Sequence, residues 1–533
     1  MKTRIVAALL LALGLQAVPT SAQQQRMSRN ATAQQSNAVE VLSGAVEAIS
    51  SMHMEEFNDS ILWEAAIDGL VESLNDPYAE LFTPEEASEW EESTTGNYSG
   101  IGLSITLLNE QVTVTGVFRG FPASQVGIMV GDVIVGVNGH DASSWTTDMT
   151  ADSIRGPAGT EVHVRVKRTG HDDPVAYDIT REEVHVPAVS YGVLREGIGY
   201  VIMDRVARNA AQEMNAALQE LGDQRGLIID LRRNPGGFLD ESLMLADLFL
   251  EPGSTLASTV QRAPGAPADR PETDSFTDRW PQQVPDLPIV ILVDEYTASG
   301  AEILAGALQD YDRAVVLGQR TFGKGVVQTV MPLPQGRRLR FTTGSWLTPL
   351  GRSLQRARDQ EMRPLPENVD TLRRVTTPGG RTLVDGGGIF PDLEMRDDTL
   401  TTVEQQFLRT SAEAEFPIGQ RIVEYAFELA AGRTSAGGKP GLTEEEFEGF
   451  LGSLSEQGLA PETYASAEVR SYLEWRLRVV VAQRMDDIGA EADYRTERDP
   501  VLREAVRLLT TSATQADLFS AVEQAETRTG EVP

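Results

Sequence analysis

The sequence predicts a mixed α/β fold with a β-rich module set into it and helical regions at both ends. Three observations lead there. Residues 226–231 and 288–293 are continuous apolar runs, each followed by a helical pattern, as in a sheet covered on both faces. Residues 98–183 alternate short β-rich runs with glycine turns. Towards both ends of the chain, apolar residues recur at spacings of three and four. At roughly 150 residues per domain, the 533 residues allow three or four domains. The expected divisions are a leader over 1–22, a helical region over 23–97, the β-rich module over 98–183, the α/β core over 184–400 and a helical region over 401–533.

Composition narrows the function classes. Apolar residues make up 41% of the chain and charged residues 23%, enough to bury real cores, which excludes a wholly disordered chain. Cysteine is absent. A disulfide framework, a thiolate metal site, a cysteine nucleophile and an acyl-cysteine anchor are therefore excluded. The 46 basic and 79 acidic side chains give a formal charge of −33. Such a chain repels phosphate backbones and anionic lipid, so no nucleic-acid partner is expected. Only four of the basic residues are lysines: Lys2, Lys167, Lys324 and Lys439. That bias reads as genome composition, yet a lysine can be neutralised by burial and an arginine cannot.

The start, Met1-Lys2-Thr3-Arg4, then apolar residues 5–15 and Val18-Pro19-Thr20-Ser21-Ala22, describes a secretory leader cut near Ala22. An uncleaved anchor is the alternative, but the run is shorter than the ~20 residues that span a bilayer. After cleavage no integral membrane segment is expected, and the location is periplasmic or secreted. Val39, Leu42, Val46 and Ile49 then mark one helix. Ile61, Ala65, Leu70 and Leu74 mark a second, broken by Asn75-Asp76-Pro77, and Thr83-Pro84-Glu85-Glu86 caps a third. Strands are expected over 101–108, 112–117, 132–137 and 162–168. In the core, strands over 199–204, 226–231, 288–293 and 314–317 alternate with helices over 210–221, 238–250 and 300–309. The Pro-rich residues 252–287 read as an excursion or loop, and 357–383 as an insertion. Gly437-Gly438-Lys439-Pro440-Gly441 reads as a hinge in an acidic helical tail.

Ser299 falls between the strand 288–293 and the apolar helix that starts at Gly300. A hydroxyl there meets the free N–H groups of a helix N-terminus, which favour developing negative charge. The plain alternative is an N-cap, with Glu302 completing a capping box. A nucleophilic serine needs a base. None of His53, His140, His163, His171 and His185 lies in the segments around Ser299. Lys324 does, in Thr321-Phe322-Gly323-Lys324-Gly325, where Phe322, Val326 and Val327 are placed to desolvate the amine and lower its pKa. A solvated loop lysine is the competing reading. Without cysteine, and with no histidine pair at helical spacing, no zinc site and no cofactor are expected.

Several segments together resemble a known family. Thr297-Ala298-Ser299-Gly300-Ala301-Glu302-Ile303, Gly306-Ala307-Leu308-Gln309-Asp310 and Gly323-Lys324-Gly325-Val326-Val327-Gln328-Thr329 resemble the C-terminal processing, or tail-specific, proteases. So do Ile229-Asp230-Leu231-Arg232-Arg233-Asn234-Pro235-Gly236-Gly237 upstream and Leu347-Thr348-Pro349-Leu350-Gly351-Arg352-Ser353 and Gly388-Ile389-Phe390-Pro391-Asp392 downstream. The interval from Ser299 to Lys324 matches the serine–lysine interval of that family. The resemblance covers about residues 60–397. It implies a serine endopeptidase with Ser299 as nucleophile and Lys324 as general base. It also implies that Gln328 orients the lysine. On an extended strand i to i+4 spans about 13 Å, so that support requires a tight turn or helical loop over 323–328. It implies an oxyanion hole of backbone N–H groups from Gly300 and the Gly236-Gly237 turn. Asp310 is a support residue in some accounts of the family, although an acid at a helix C-terminus opposes the dipole and is readily solvated.

The β-rich module resembles a PDZ domain. Gly100-Ile101-Gly102-Leu103 matches its carboxylate-binding loop, Gly131-Asp132-Val133-Ile134 with Val137-Asn138-Gly139 its central turn, and Ser153-Ile154-Arg155-Gly156-Pro157-Ala158-Gly159-Thr160 the segment before its last strands. The implied partners are proteins or peptides with exposed C-terminal tails, held by backbone N–H groups while the tail adds as a strand. The alternative is a catalytically inactive PDZ adaptor or chaperone. The region after 400 lies outside the resemblance and reads as a packed helical appendage, with an oligomerisation element (hence a homo-oligomer), a lid and an adaptor surface as the other readings.

Overall fold

A computed structural model describes residues 33–168, 170–262, 270–396 and 400–529. The leader expected over 1–22 lies outside the described residues. The chain divides into two compact units: residues up to Ser88 with Gln328–Thr343 and Arg358–Pro364, and all the rest. The architecture is the expected mixed α/β fold, a β-rich module and a parallel-sheet core with helices at both ends.

In the smaller unit, helices Ala33–Met52 and Asp59–Glu72 form at the expected places. Asn58 caps the second by accepting from Ser60 N at 2.9 Å. The apolar residues that predict these helices stay largely exposed; Val46 is buried, while Val39, Leu42, Ile49, Ile61 and Leu70 are not. Glu80–Phe82 forms a short strand, absent from the sequence reading, that pairs antiparallel with Arg338–Arg340. The cap before Pro84 forms as expected: Thr83 N donates to Glu86 at 2.9 Å and Glu86 N to Thr83 Oγ1 at 3.2 Å.

The larger unit begins with the β-rich module. Its sheet runs, in space, through Leu103–Leu108 (β1), Gln111–Val117, Val133–Val137, Glu161–Lys167 and Val175–Thr180, so β1 is an edge strand. β1 starts two residues later than expected because Gly102 takes φ +81° and breaks the extended run. Helix Thr147–Ile154 (α1), with Thr146 capping Met149 N, has no counterpart in the sequence reading.

The core sheet has Val189–Val193 antiparallel to Gly199–Met203 (β2), then Leu227–Asp230 (β3), Ile289–Val293 (β4), Val315–Gly318 (β5) and Leu393–Glu394, all parallel to β2. Alternate residues point to opposite faces and both faces are buried. Ile229, Ile291 and Val316 face helices Ala210–Leu221 (α2), Leu239–Asp247 (α3) and Gly300–Asp310 (α4). Ile228, Val290, Leu292, Val315 and Leu317 face Val501, Leu502, Leu508, Leu509 and Leu518 from the end of the chain. The region after 400 is helical, as expected. Its last helices are nevertheless the second cover of the sheet rather than an appendage beside it.

Two further readings are corrected and a third gains detail. Residues 252–287 are not a loop: Thr255–Gln261 and Glu272–Thr277 form an antiparallel hairpin, and Ser258–Gln261 also pair with Gly344–Leu347. The β-branched residues Thr255, Thr259 and Val260 carried a strand signal beneath the prolines. The 357–383 insertion contains the hairpin Arg373–Thr376 and Thr382–Asp385, and Arg381 ties it down by donating to Asp312 at 2.6 Å and to Gln309 O at 2.8 Å. The glycines at 437–441 are not a hinge. Arg433 bonds Gly441 O and Glu446, and helices Ile418–Ala436 (α5) and Glu444–Glu456 share one apolar core.

Where the first of these hairpins meets α3, two buried carboxyl groups, Asp278 and Asp247, lie next to one another. Burial first, then the charge of Asp247, pushes the Asp278 carboxyl up to about 7. Because this lies above the ordinary 3.8, the pair's contribution to stability is fully present below about pH 4 and is lost as the pH rises through about 7. Asp278→Asn removes the titrating charge and leaves an amide to bond Asp247. Its apparent Tm should match the parent's near about pH 5 and exceed it near about pH 8.5, by roughly 1 kcal/mol or more in stability. Parallel pH profiles of the two proteins would refute this assignment.

Candidate active site

Three loops at the carboxyl ends of neighbouring parallel strands come together. Asn234-Pro235-Gly236-Gly237 follows β3, residues 294–299 follow β4, and residues 319–325 follow β5. Loops at that edge of an open α/β sheet diverge from one rigid frame and form its ligand crevice. Buried polar side chains fix them to one another. Asn234 Nδ2 donates to Met203 O at 2.8 Å, its Oδ1 accepts from Gly236 N at 2.8 Å, and its carbonyl accepts from Ala298 N at 2.9 Å. Asp294 accepts from Arg233 N and Thr297 N, both at 2.9 Å, and Thr297 Oγ1 donates to Leu231 O at 2.9 Å. Phe322 N reaches Thr297 O at 3.0 Å, joining the third loop to the second.

Ser299 stands at the start of α4 with φ +51° and ψ −116°, a backbone conformation that a side-chain-bearing residue rarely adopts. Such strain persists only where the surroundings impose it, and it concentrates at functional sites. The three glycines expected at the oxyanion hole are all held by close approach. A Cβ on Gly236 would lie 2.6 Å from both Ala298 O and Gly300 N, and one on Gly237 2.0 Å from Val206 O. On Gly300 it would lie 2.4 Å from Ser242 Oγ. The Gly236-Gly237 backbone therefore abuts Ser299 and Gly300, as the sequence reading requires.

Lys324 is half-buried in the third loop. Its N–H donates to Glu302 Oε2 at 2.8 Å, and its carbonyl accepts from Trp346 Nε1 at 3.1 Å. Gly325 N donates to Gln355 at 2.9 Å, and Gly323, with φ +83°, passes so close to Arg356 that a Cβ would meet its side chain at 2.7 Å.

Glu302 is the residue that the sequence reading undervalued. It completes the N-terminal cap of α4 by accepting from Ser299 N at 2.9 Å, as a capping box predicts. The oxygen that accepts from Ser299 N, Oε2, also accepts from Lys324 N, while Oε1 accepts from Gly323 N at 2.8 Å and Thr321 Oγ1 at 2.5 Å. One fully buried carboxylate thus gathers the serine turn and the lysine loop. Burial pushes its pKa up, and the four hydrogen bonds oppose that rise. The bond to Ser299 was legible from the spacing of three. The bonds to residues 321–324 were not, because only the fold brings them near.

Gln328 and Asp310, the two expected support residues, both make hydrogen bonds. Gln328 lies on the strand Val326–Pro332, and its Nε2 donates to Tyr78 O at 2.8 Å. Asp310 sits at the far end of α4, about 16 Å from Ser299 at 1.5 Å per residue. It is not solvated: wholly buried, it pairs with Arg352 at 2.6 Å and accepts from Leu350 N at 2.8 Å. Its role is to hold residues 348–353 onto the helix. Of the histidines, His185 bonds Asn97 and Glu213, and His163 bonds Asp178. Among the described residues, no cluster of three His, Asp or Glu is arranged to hold a metal.

The second site is the groove between β1 and α1. A cavity of about 590 Å³ is lined by Gly100, Ile101 and Leu103 on one side and by Ala151, Ile154 and Arg155 on the other. Gly102 makes the turn rather than the lining: a Cβ there would lie 2.6 Å from Phe121 Cβ, and its carbonyl accepts from Phe118 N at 3.1 Å. The Tyr98 hydroxyl is buried beside the N–H groups of Leu103 and Gly102, and burial pushes its pKa up. Arg155 lies over the Tyr98 ring, 5.4 Å from its centre, and pairs with Glu92 at 3.2 Å.

Comparison with known proteins places both regions in known families. The chain matches Peptidase family S41 over residues 197–362, the PDZ domain over 90–167 and the activating protease CtpB N-terminal domain over 8–85. A probable CtpA-like serine protease of Staphylococcus epidermidis is 35% identical over 292 residues, 54% of this chain and 58% of that protein. A carboxy-terminal-processing protease of Bartonella bacilliformis is 33% identical over 316 residues, 58% of this chain and 70% of that protein. Among solved structures, a photosystem II D1 C-terminal processing protease is 26% identical with a TM-score of 0.32, covering 61% of this chain and 85% of that one. The chain spans 58% of the length of the Staphylococcus relative. On the Bartonella match and the S41 and PDZ segments, the chain belongs to the carboxy-terminal-processing protease family.

Proposed function

We propose that the protein is an exported serine endopeptidase that engages substrate tails through its PDZ module and cuts peptide bonds with a Ser299–Lys324 dyad. One observation carries the reading: Glu302 Oε2 accepts from the N–H of both Ser299 and Lys324, so a single buried oxygen brings the two residues to one place. In this mechanism Lys324 Nζ takes the Ser299 proton as Oγ attacks the scissile carbonyl. The N–H groups of Gly300 and Gly237 stabilise the oxyanion, and the lysine then protonates the leaving amine. The division proposed is a leader over 1–22, a helical region to 97, the PDZ module over 98–183, the protease core over 184–400 and a helical region beyond. Export to the periplasm or outside rests on the leader-like residues 1–22. Among the described residues, no helix is long and apolar enough to cross a membrane.

The dyad is tested by substitution. Ser299→Ala and Lys324→Ala should each lower kcat by roughly 10³-fold or more on an unstructured substrate, with tail binding retained. Lys324→Arg should be equally inactive, because arginine keeps its proton. Appreciable turnover by Lys324→Arg would sink the assignment, and activity-free tail binding by the parent would establish an adaptor instead.

Glu302→Ala tests the shared carboxylate. It strands four buried donors, each at a cost of about 1–3 kcal/mol. The expected result is a kcat reduced roughly 10- to 100-fold at unchanged tail affinity, with partial rescue in Glu302→Gln, which keeps one acceptor oxygen. A wild-type kcat in Glu302→Ala would show that the carboxylate does not position the dyad.

Tail recognition is tested by amidating a substrate's C-terminus, which removes the anion that the Gly100–Leu103 loop would hold. Charge-assisted hydrogen bonds contribute about 1.5–3 kcal/mol, so kcat/KM should fall roughly 10- to 100-fold. Equal cleavage of acid and amide forms would show a module indifferent to the tail.

A further inference from the structure

The groove between β1 and α1 does not end where the tail pocket ends. Leu103, Ile105 and Leu107 fall on one face of β1 by the two-residue period of an extended chain. Beyond Ile105 and Ala151, which line the tail pocket too, a second cavity of about 640 Å³ opens. The module supplies Leu107 and Asp148 to it, and α5, from the region after 400, supplies Gly419, Gln420 and Val423. Helix α5 is fastened there. Asn109 N, in the turn after β1, donates to Glu424 at 2.9 Å, and Glu424 also accepts from Gln420 at 2.8 Å and pairs with Arg421 at 2.6 Å.

We propose that α5 forms the outer end of the tail-binding groove and selects substrate residues four to six positions before the C-terminus, favouring a basic side chain opposite Asp148. The proposal rests on the tail-binding reading above. β1 is the edge strand of its sheet, so a tail can add to it antiparallel. With its carboxylate at Gly100–Leu103, such a tail runs along β1 at about 3.4 Å per residue and reaches Leu107 four residues upstream. Leu107 is 39% exposed, an apolar surface in line with the tail pocket. Asp148 is an exposed acid in this cavity, whereas Glu424 is matched by Arg421. Continuity with the tail pocket, strand direction and charge therefore name the same occupant, the upstream part of the substrate's own tail.

The test uses the full chain carrying Ser299→Ala and measures peptide binding by fluorescence anisotropy. The probes are a four-residue peptide with an apolar C-terminus and two ten-residue extensions, with Lys or Glu at the fourth and fifth positions before the end. The Lys peptide should bind about tenfold more tightly than the four-residue peptide, and the Glu peptide about two- to fivefold less tightly than the Lys peptide. Gly419→Trp fills the cavity, and a Cβ at Gly419 meets nothing within 4 Å, so the fold tolerates it. It should erase the advantage of length while leaving the four-residue peptide unaffected. Asp148→Lys should reverse the Lys–Glu preference. Equal affinity for short and long peptides, or an advantage that survives both substitutions, overturns the proposal while leaving tail binding intact. If the four-residue acid and its amide bind alike, the tail reading itself fails and the extension falls with it. Self-association lost in Gly419→Trp, with peptide binding unchanged, would place a second copy in the cavity and also overturn it.

Discussion

A helix buried along its whole length has no water at its ends, and every residue of Gly300–Asp310 is buried. The protein must therefore supply partners for the helix's terminal groups and for its polar side chains. At the start, Glu302 turns back to Ser299 N. At the end, Arg381 donates to Gln309 O, and Arg352 to the side chains of both Gln309 and Asp310. A buried ion pair such as Asp310–Arg352 is a poor source of net stability, because both charges give up hydration. Its effect is on geometry. With one partner missing, the other would be a bare charge in the core, so residues 348–353 have one acceptable place against the helix.

The same reasoning explains why a carboxylate, rather than an amide or a hydroxyl, stands at position 302. Four donors converge on it from two segments: Ser299 N on one side, and Thr321 Oγ1, Gly323 N and Lys324 N on the other. An ionised carboxylate offers about four lone-pair positions and donates nothing, so it accepts all four without turning a proton toward another donor. A glutamine would present its NH₂ to backbone N–H groups. The strained backbone of Ser299 and the glycine-flanked backbone of Lys324 then answer to one atom. Displacement of the 321–324 loop away from α4 strands its own buried N–H groups and leaves the carboxylate with the Ser299 N–H alone, so the loop is held against the helix.

The layered fold was legible because its signals are local. Continuous apolar runs such as 288–293 and a two-sided alternation of apolar residues mark strands covered on both faces, and both sheet faces are in fact buried. The helix over Ala210–Leu221 was readable to the residue. What the sequence concealed was long-range pairing. The hairpin within 252–287 was masked by prolines, and the strand Glu80–Phe82 is too short to carry a periodic signal. At the site, Ser299 and Lys324 were expected from their placement and from the resemblance, and the three glycines from the resemblance alone. Glu302 appeared only as a cap, since its lysine-loop partners lie nineteen or more residues away. The role expected of Gln328 was implied by the resemblance and has no local signal of its own.

The region after residue 400 shows why chain order is a poor guide to what is dispensable. A sheet with both faces apolar is stable only when both are covered, and α2, α3 and α4 cover just one. The second cover arrives last in the chain, from Val501 to Leu518. Without it Ile228, Val290, Leu292, Val315 and Leu317 would face water, at roughly 1.5–3 kcal/mol for each large side chain. Its fit is close: a Cβ on Gly226, just before β3, would lie 2.8 Å from Leu509. Between these helices and the core, α5 runs past the PDZ module and is held to the turn after β1 by Glu424. The segment that completes the sheet is thus continuous with the one that closes the groove. The strands that carry the Ser299 and Lys324 loops and the PDZ module lean on the same stretch of chain.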